Sequence, residues 1–273
     1  TGMLTAAEVI KRNNICQTGH GQKTLLMAHG FGCDQRMWRF IQPLISKGYR
    51  QVLFDYVGSG QSELAAYSVQ RYQNLQGYAQ DLVDIILALD LHNVVLVGHS
   101  VSAMIAMLAA KEVPDRVHSL IMICPSPCFL NHPPDYLGGF EQADLQELLD
   151  LLDKNYLGWA NYLAPIVLGP EADEQLSGEL ADSFCSTDPL IAKTFAKATF
   201  FSDMRYELPT ISHPTLLLQS RIDSLASLAV GDYLLRTIPN SQQQVIEAKG
   251  HCLHMTHPCQ VWSSIQQFLK SIA

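Results

Sequence analysis

Apolar residues come in short unbroken runs along this chain, and most runs are followed by a stretch with helical spacing. "KTLLMAHG", "RQVLFDYVG", "NVVLVGHS", "SLIMICPS", "PTLLLQS" and "QQVIEAKG" read as continuously apolar strands, as expected for a sheet covered on both faces. Between them, "LQGYAQDLVDIILALDL" places apolar residues three and four apart. "SAMIAMLAAKEV" and "PCQVWSSIQQFLKSI" read as further helices. Strand, helix, strand repeated predicts right-handed crossovers and a mostly parallel sheet flanked by helices.

One region breaks the alternation. Residues 126–209 contain no segment that reads as a strand, yet carry Phe129, Tyr136, Phe140, Tyr156, Trp159, Tyr162, Phe184, Phe195, Phe200 and Phe201. A structureless loop of that length does not suit a compact domain. The pattern predicts an α/β core built from 3–125 and 210–273, with a helical insertion over 126–209. Ligands bind outside the carboxyl ends of the strands in such sheets, and an insertion leaving there would roof the site. Most of its aromatics are expected to pack against one another. Phe129, Trp159, Phe200 and Phe201, together with Phe31, are the ones expected to line a pocket.

Composition narrows the classes. The chain has 273 residues, 48% hydrophobic and 16% charged, which supplies a sizeable core and argues against disorder. A net charge of −8 without a basic patch argues against nucleic acid or an anionic membrane as partner. No apolar run is long enough to span a bilayer. Thr1-Gly2 ahead of Met3 is set aside as a remnant, and the N-terminal stretch shows no charged leader followed by an apolar run. The seven cysteines follow no framework spacing, so reduced thiols in a cytoplasmic protein are expected.

The chemistry centres on "VVLVGHSVSAMIAMLAA", a strand, a tight turn and a helix with Ser100 at the turn. This is the setting of a nucleophile elbow, although Ser102 stands where the G-x-S-x-G pattern ends in glycine. The competing reading is that Ser100 merely caps the helix. A nucleophilic serine needs a base, and the base an orienting acid, in the chain order Ser, Asp or Glu, His. Asp223 follows the strand in "PTLLLQSRIDS" and His251 follows the strand in "QQVIEAKGHC". Asp232 is the weaker acid candidate because it lies in a helical pattern.

"GHCLHMTHP" holds three histidines, His251, His254 and His257. Their spacing matches no metal-binding motif, so neither metal nor cofactor is expected. His251 is the expected base, and His254 and His257 are expected to be hydrogen-bonded residues packed beside the elbow. The oxyanion hole needs the N–H after the nucleophile, at Val101, and one from the loop after an early strand, for which "MAHGFGCDQRMW" offers Phe31. "DYVGSGQS" lacks the third glycine of a dinucleotide fingerprint and reads as a supporting loop.

These residues together resemble the α/β-hydrolase family. Within it, "HGFGCDQRMW", "LFDYVGSGQSEL", "RYQNLQGYAQDL", "GHSVSAMI", "PSPCFLNHPPDYLGGFE", "NYLGWA", "FCSTDP", "FAKATFFSD" and "GHCLHMTHP" are similar to RsbQ-type regulators of the bacterial general stress response. They are more distantly similar to the plant karrikin and strigolactone receptors. The resemblance runs from about His29 to the C-terminus. It implies a four-helix lid over about 126–209, a triad of Ser100, Asp223 and His251, and a largely apolar pocket. It also implies slow hydrolysis of a small hydrophobic ester or lactone in the service of signalling, with a PAS-domain phosphatase as the kind of partner such regulators use. The alternative it leaves is a non-hydrolytic receptor or scaffold acting through its lid surface. One departure is that "DSLASLAV" lacks the proline often found after the acid, which would loosen that loop.

Overall fold

The computed structural model describes residues 2–273; Thr1, part of the stretch set aside above, lies outside the described residues. The strands are β1 (Cys16–Thr18), β2 (Lys23–Ala28), β3 (Tyr49–Leu53), β4 (Val94–His99), β5 (Val117–Ile123), β6 (Thr215–Ile222) and β7 (Ser241–Lys249). They form one sheet in the order β1-β3-β2-β4-β5-β6-β7. All neighbours run parallel except β1, which pairs antiparallel with β3. The helices are α1 (Ala6–Arg12), α2 (Val69–Tyr72), α3 (Leu75–Ala88), α4 (Val101–Glu112), α5 (Gln142–Lys154), α6 (Tyr156–Leu168), α7 (Glu174–Ser186), α8 (Pro189–Phe200), α9 (Leu228–Thr237), α10 (Leu253–Thr256) and α11 (Pro258–Ser271).

The central strands are covered on both faces, and their side chains divide between two cores. Leu26, Leu96, Leu120 and Met122 enter one core with Leu82, Ile85, Met104 and Leu234 from α3, α4 and α9. Leu25, Met27, Val95, Val97, Ile121 and Ile123 enter the other with Trp38 and with Trp262, Ile265 and Phe268 of α11. This follows from the two-residue side-chain period of a strand. The continuous apolar reading fails at β7. That strand alternates between covered and exposed residues, because it is the edge of the sheet and only one of its faces meets helices. β1, three exposed residues at the opposite edge, has no apolar signal in the sequence.

Between β5 and β6 the chain makes the four helices α5 to α8. Only isolated bridges, such as Cys128↔Asp203, interrupt the non-strand character of this stretch. Its two ends are tied together, since the Met204 N–H donates to Pro127 O at 2.8 Å. It is also tied to the sheet end: Ser183 Oγ donates to Gly32 O at 2.7 Å, and the His251 N–H donates to Val167 O at 2.8 Å. No helix among the described residues is long and apolar enough to cross a membrane.

Candidate active site

β4 ends at His99, and the chain turns at Ser100 into α4. Ser100 sits at φ 57°, ψ −119°, a strained conformation for a residue with a Cβ, of the kind concentrated at functional sites. Its N–H is held by Ile123 O at 2.9 Å. Its side chain makes no capping bond, which removes the helix-cap reading. Gly98 makes the turn possible, because a Cβ there would collide with the Ser102 backbone.

Ser102, in the position of the missing glycine, has its own function. Tyr56 Oη donates to Ser102 Oγ at 2.7 Å, and Ser102 Oγ donates to His29 O. This buried relay ties the loop after β2 to the elbow helix. Ser102→Gly would restore the familiar pattern but leave a buried phenol hydroxyl and a buried carbonyl unpaired. We expect it to lower unfolding stability by about 1–3 kcal/mol, measured by urea denaturation. Unchanged stability would mean the relay holds nothing together.

The three residues expected to act together do converge. The Ser100 hydroxyl lies 2.7 Å from His251 Nε2, and His251 Nδ1 lies 2.8 Å from Asp223 Oδ2. Asp223, its side chain fully buried, accepts the Leu225 and Ala226 N–H groups on Oδ1 at 2.9 and 3.2 Å. These two bonds hold the acid loop without the proline, so the predicted loosening does not occur. His251 enters through Gly250 (φ 147°), where a Cβ would strike Leu168 O. Its carbonyl accepts from His99 Nε2 at 2.6 Å. His251 is thus clamped through its main chain by the elbow strand on one side and by α6 on the other. No sequence signal points to His99: the x of G-x-S-x-G says nothing about a partner 152 residues away.

The Phe31 and Val101 N–H groups donate to no acceptor among the described residues. Both flank the Ser100 turn, from the loop after β2 and the first turn of α4. A small cavity, about 40 Å³, is lined by Phe31, Phe129, Phe200, Ser100 and His251 among others. Trp159 and Phe201 do not line it, contrary to the sequence reading. Trp159 stands behind Phe31, edge-on at 5.8 Å between centroids, and Phe201 lies just past the end of α8, where helical phase turns it away from Phe200. Phe184, Leu163, Val167 and Thr199 take part instead. A wider cleft of about 520 Å³ lies outside, between Arg36, Arg39 and Glu179, and contains no member of the Ser100 cluster.

The remaining histidines correct the sequence reading. His254 is fully buried with neither ring nitrogen bonded among the described residues. It packs between Trp38 and His99, at 4.6 and 4.4 Å between centroids. Burial, reinforced by neighbouring His251, lowers its pKa to about 3. It behaves as an aromatic slab rather than a hydrogen-bonded residue. His257 does find a partner, Thr256 Oγ1 at 2.8 Å. The three imidazoles therefore face three different environments and do not converge on a point. Cys33 and Cys252 also touch the cavity, but burial raises Cys33 to about 12 and Cys252 well above the ordinary thiol range. Both are protonated thiols, poor nucleophiles beside Ser100. Asp55 of "DYVGSGQS" accepts from Gln35 and Gln61 N–H, each at 2.9 Å, and so fixes the loop beside the site.

Comparison with known proteins agrees with this fold. The sequence profile described as alpha/beta hydrolase fold matches residues 23–258. The chain is 34% identical to the Karrikin insensitive 2 receptor CA of Petunia hybrida, over 92% of this chain and 93% of that one. It is 32% identical to the Strigolactone esterase D14 of Arabidopsis thaliana, over 98% of each. It is 30% identical to a pimeloyl-[acyl-carrier protein] methyl ester esterase of Aeromonas hydrophila, over 90% and 94%. Among solved structures, a hydrolase from Oleispira antarctica superposes with a TM-score of 0.97 at 56% identity, covering 99% of both chains. A strained serine turn on a mostly parallel sheet, matched end to end by these relatives, makes the chain a member of the α/β-hydrolase family.

Proposed function

We propose that the protein is a serine hydrolase of the RsbQ type that cleaves a small hydrophobic ester or lactone. The observation that carries this reading is the unbroken line from Ser100 Oγ through His251 to Asp223, at 2.7 and 2.8 Å. Ser100 Oγ attacks the carbonyl carbon as His251 Nε2 takes its proton. Asp223 holds the imidazole in the tautomer that leaves Nε2 free to accept, and stabilises the imidazolium. The Phe31 and Val101 N–H groups receive the oxyanion. The C–O bond to the leaving alkoxide then breaks, and His251 returns the proton to it. Water, deprotonated by His251, attacks the acyl-serine, the acid departs and Ser100 recovers its proton. Helices α5 to α8 act as a lid over the core formed by 3–125 and 210–273.

The role in the cell is proposed as signalling in the cytoplasm, with a PAS-domain phosphatase as the class of partner. A second reading, a receptor that works by binding, is supported by the Petunia relative, which is named as a receptor. The deciding experiment is reaction with a serine-directed fluorophosphonate, with mass spectrometry to locate the adduct, beside turnover of a short p-nitrophenyl ester. We expect a single adduct on Ser100 and measurable turnover. A folded protein that gives neither would overturn the hydrolase reading and favour the receptor.

A further inference from the structure

Thr199 departs from the other helical threonines. In a helix a threonine hydroxyl commonly bonds the carbonyl four residues back. Thr194, on the same α8, does so with Leu190 O at 2.8 Å, and Thr237 on α9 with Tyr233 O at 2.6 Å. Thr199 is 3% exposed, and its Oγ1 is buried without a partner among the described residues. Unpaired buried hydroxyls are rare and call for an explanation. The explanation lies in its position. Thr199 lines the same small cavity as Ser100, and beside it the wall is Phe31, Phe129, Leu163 and Phe200. A polar group set in an apolar sleeve fixes ligand orientation.

The size of the space identifies what the hydroxyl would meet. At about 40 Å³, the cavity holds roughly three water-sized groups. If Ser100 attacks an ester carbonyl, an acyl tail of three heavy atoms fills that volume. We infer that Thr199 is a specificity-determining residue whose hydroxyl donates to an oxygen within a short acyl chain. The substrate class is then an ester of a short oxygen-bearing acid, such as an alkoxyacetic acid, rather than of a plain alkanoic acid. The inference rests on the hydrolase reading above. A site built around a hydrogen bond discriminates against the analogue that lacks it, because its own polar group is then left unpaired.

The test compares p-nitrophenyl methoxyacetate with p-nitrophenyl butanoate, whose tails are CH2–O–CH3 and CH2–CH2–CH3. Wild type, Thr199→Val and Thr199→Ser are assayed on both. The difference in intrinsic reactivity cancels when the ratio of kcat/KM values is compared between enzymes. Thr199→Val should lower that ratio by about tenfold, and Thr199→Ser should keep the wild-type ratio. A ratio that does not move in Thr199→Val overturns the inference while the hydrolase reading stands. If wild type turns over neither ester, the hydrolase reading fails, and calorimetric binding of the same two esters decides the Thr199 contact. A preference for methoxyacetate that Thr199→Val removes would sustain it; equal binding by both proteins would overturn it.

Discussion

Ser100→Ala is expected to lower kcat for a p-nitrophenyl ester by about 10⁴- to 10⁶-fold while the protein stays folded. The hydroxyl removed is the atom bonded to His251 Nε2, and nothing else in the cavity can replace it, because the nearby thiols are held protonated by burial. His251→Ala should cost about as much, and the double variant no more than either alone, since residues that act as one unit lose their effect together. Asp223→Asn should fall by about 10⁴-fold, because an amide presents a donor where His251 Nδ1–H needs an acceptor. His254→Ala and His257→Ala should cost far less, as neither reaches Ser100 or Asp223. Steady-state kinetics with circular dichroism on each variant checks the set. Near-wild-type turnover by Ser100→Ala, or a loss at His254 equal to that at His251, would overturn the assignment of roles.

Acid should destabilise the fold steeply, and His254 should account for a separable share. Its imidazole is held neutral down to about pH 3 by burial, against about 6.5 in an unfolded chain. His99 is pushed well below its ordinary value, first by burial and then by His254 and His251. The sign follows from proton uptake. Below about pH 6.5 the unfolded chain binds protons that the folded chain cannot, so stability is highest above that pH and falls as pH drops toward 3. Each such imidazole contributes a slope of up to about 1.4 kcal/mol per pH unit. At pH 4.5 His254 alone would remove about 3 kcal/mol, a large part of a total stability of about 5–15 kcal/mol. Urea unfolding at pH 7.5, 5.5 and 4.5 measures the slope. His254→Phe keeps a ring between Trp38 and His99, sacrifices no hydrogen bond, and should flatten the slope by about 1.4 kcal/mol per pH unit. Identical slopes for the two proteins would show that His254 is not buried as a neutral ring.

Much of this molecule is legible along the chain. The central strands announce themselves because burial on both faces demands unbroken apolar runs such as "LLMA" and "VVLV". The Ser100 turn is legible because glycine, serine and a good helix must adjoin there for steric reasons. Asp223 and His251 are legible because each ends a strand at the same edge of a parallel sheet. β7 is less legible: an edge strand obeys a half-buried pattern, and "SQQQVIEAK" sits between templates. The positions of Trp159 and Phe201 are not legible, because hydrophobicity shows that an aromatic is buried but not which neighbour it faces.

The parallel sheet, the helical excursion between β5 and β6, and the placing of Ser100, Asp223 and His251 at strand ends can all be read along the chain. These rest on periodicity and local sterics, which act over a few residues. Three-dimensional packing alone sets which imidazole is a neutral slab, that Ser102 and Tyr56 brace the elbow, and that Thr199 lines the cavity with its hydroxyl unpaired among the described residues. Those properties depend on contacts between segments tens to more than a hundred residues apart. There, burial and the availability of a hydrogen-bond partner are set by packing, and no local pattern encodes them.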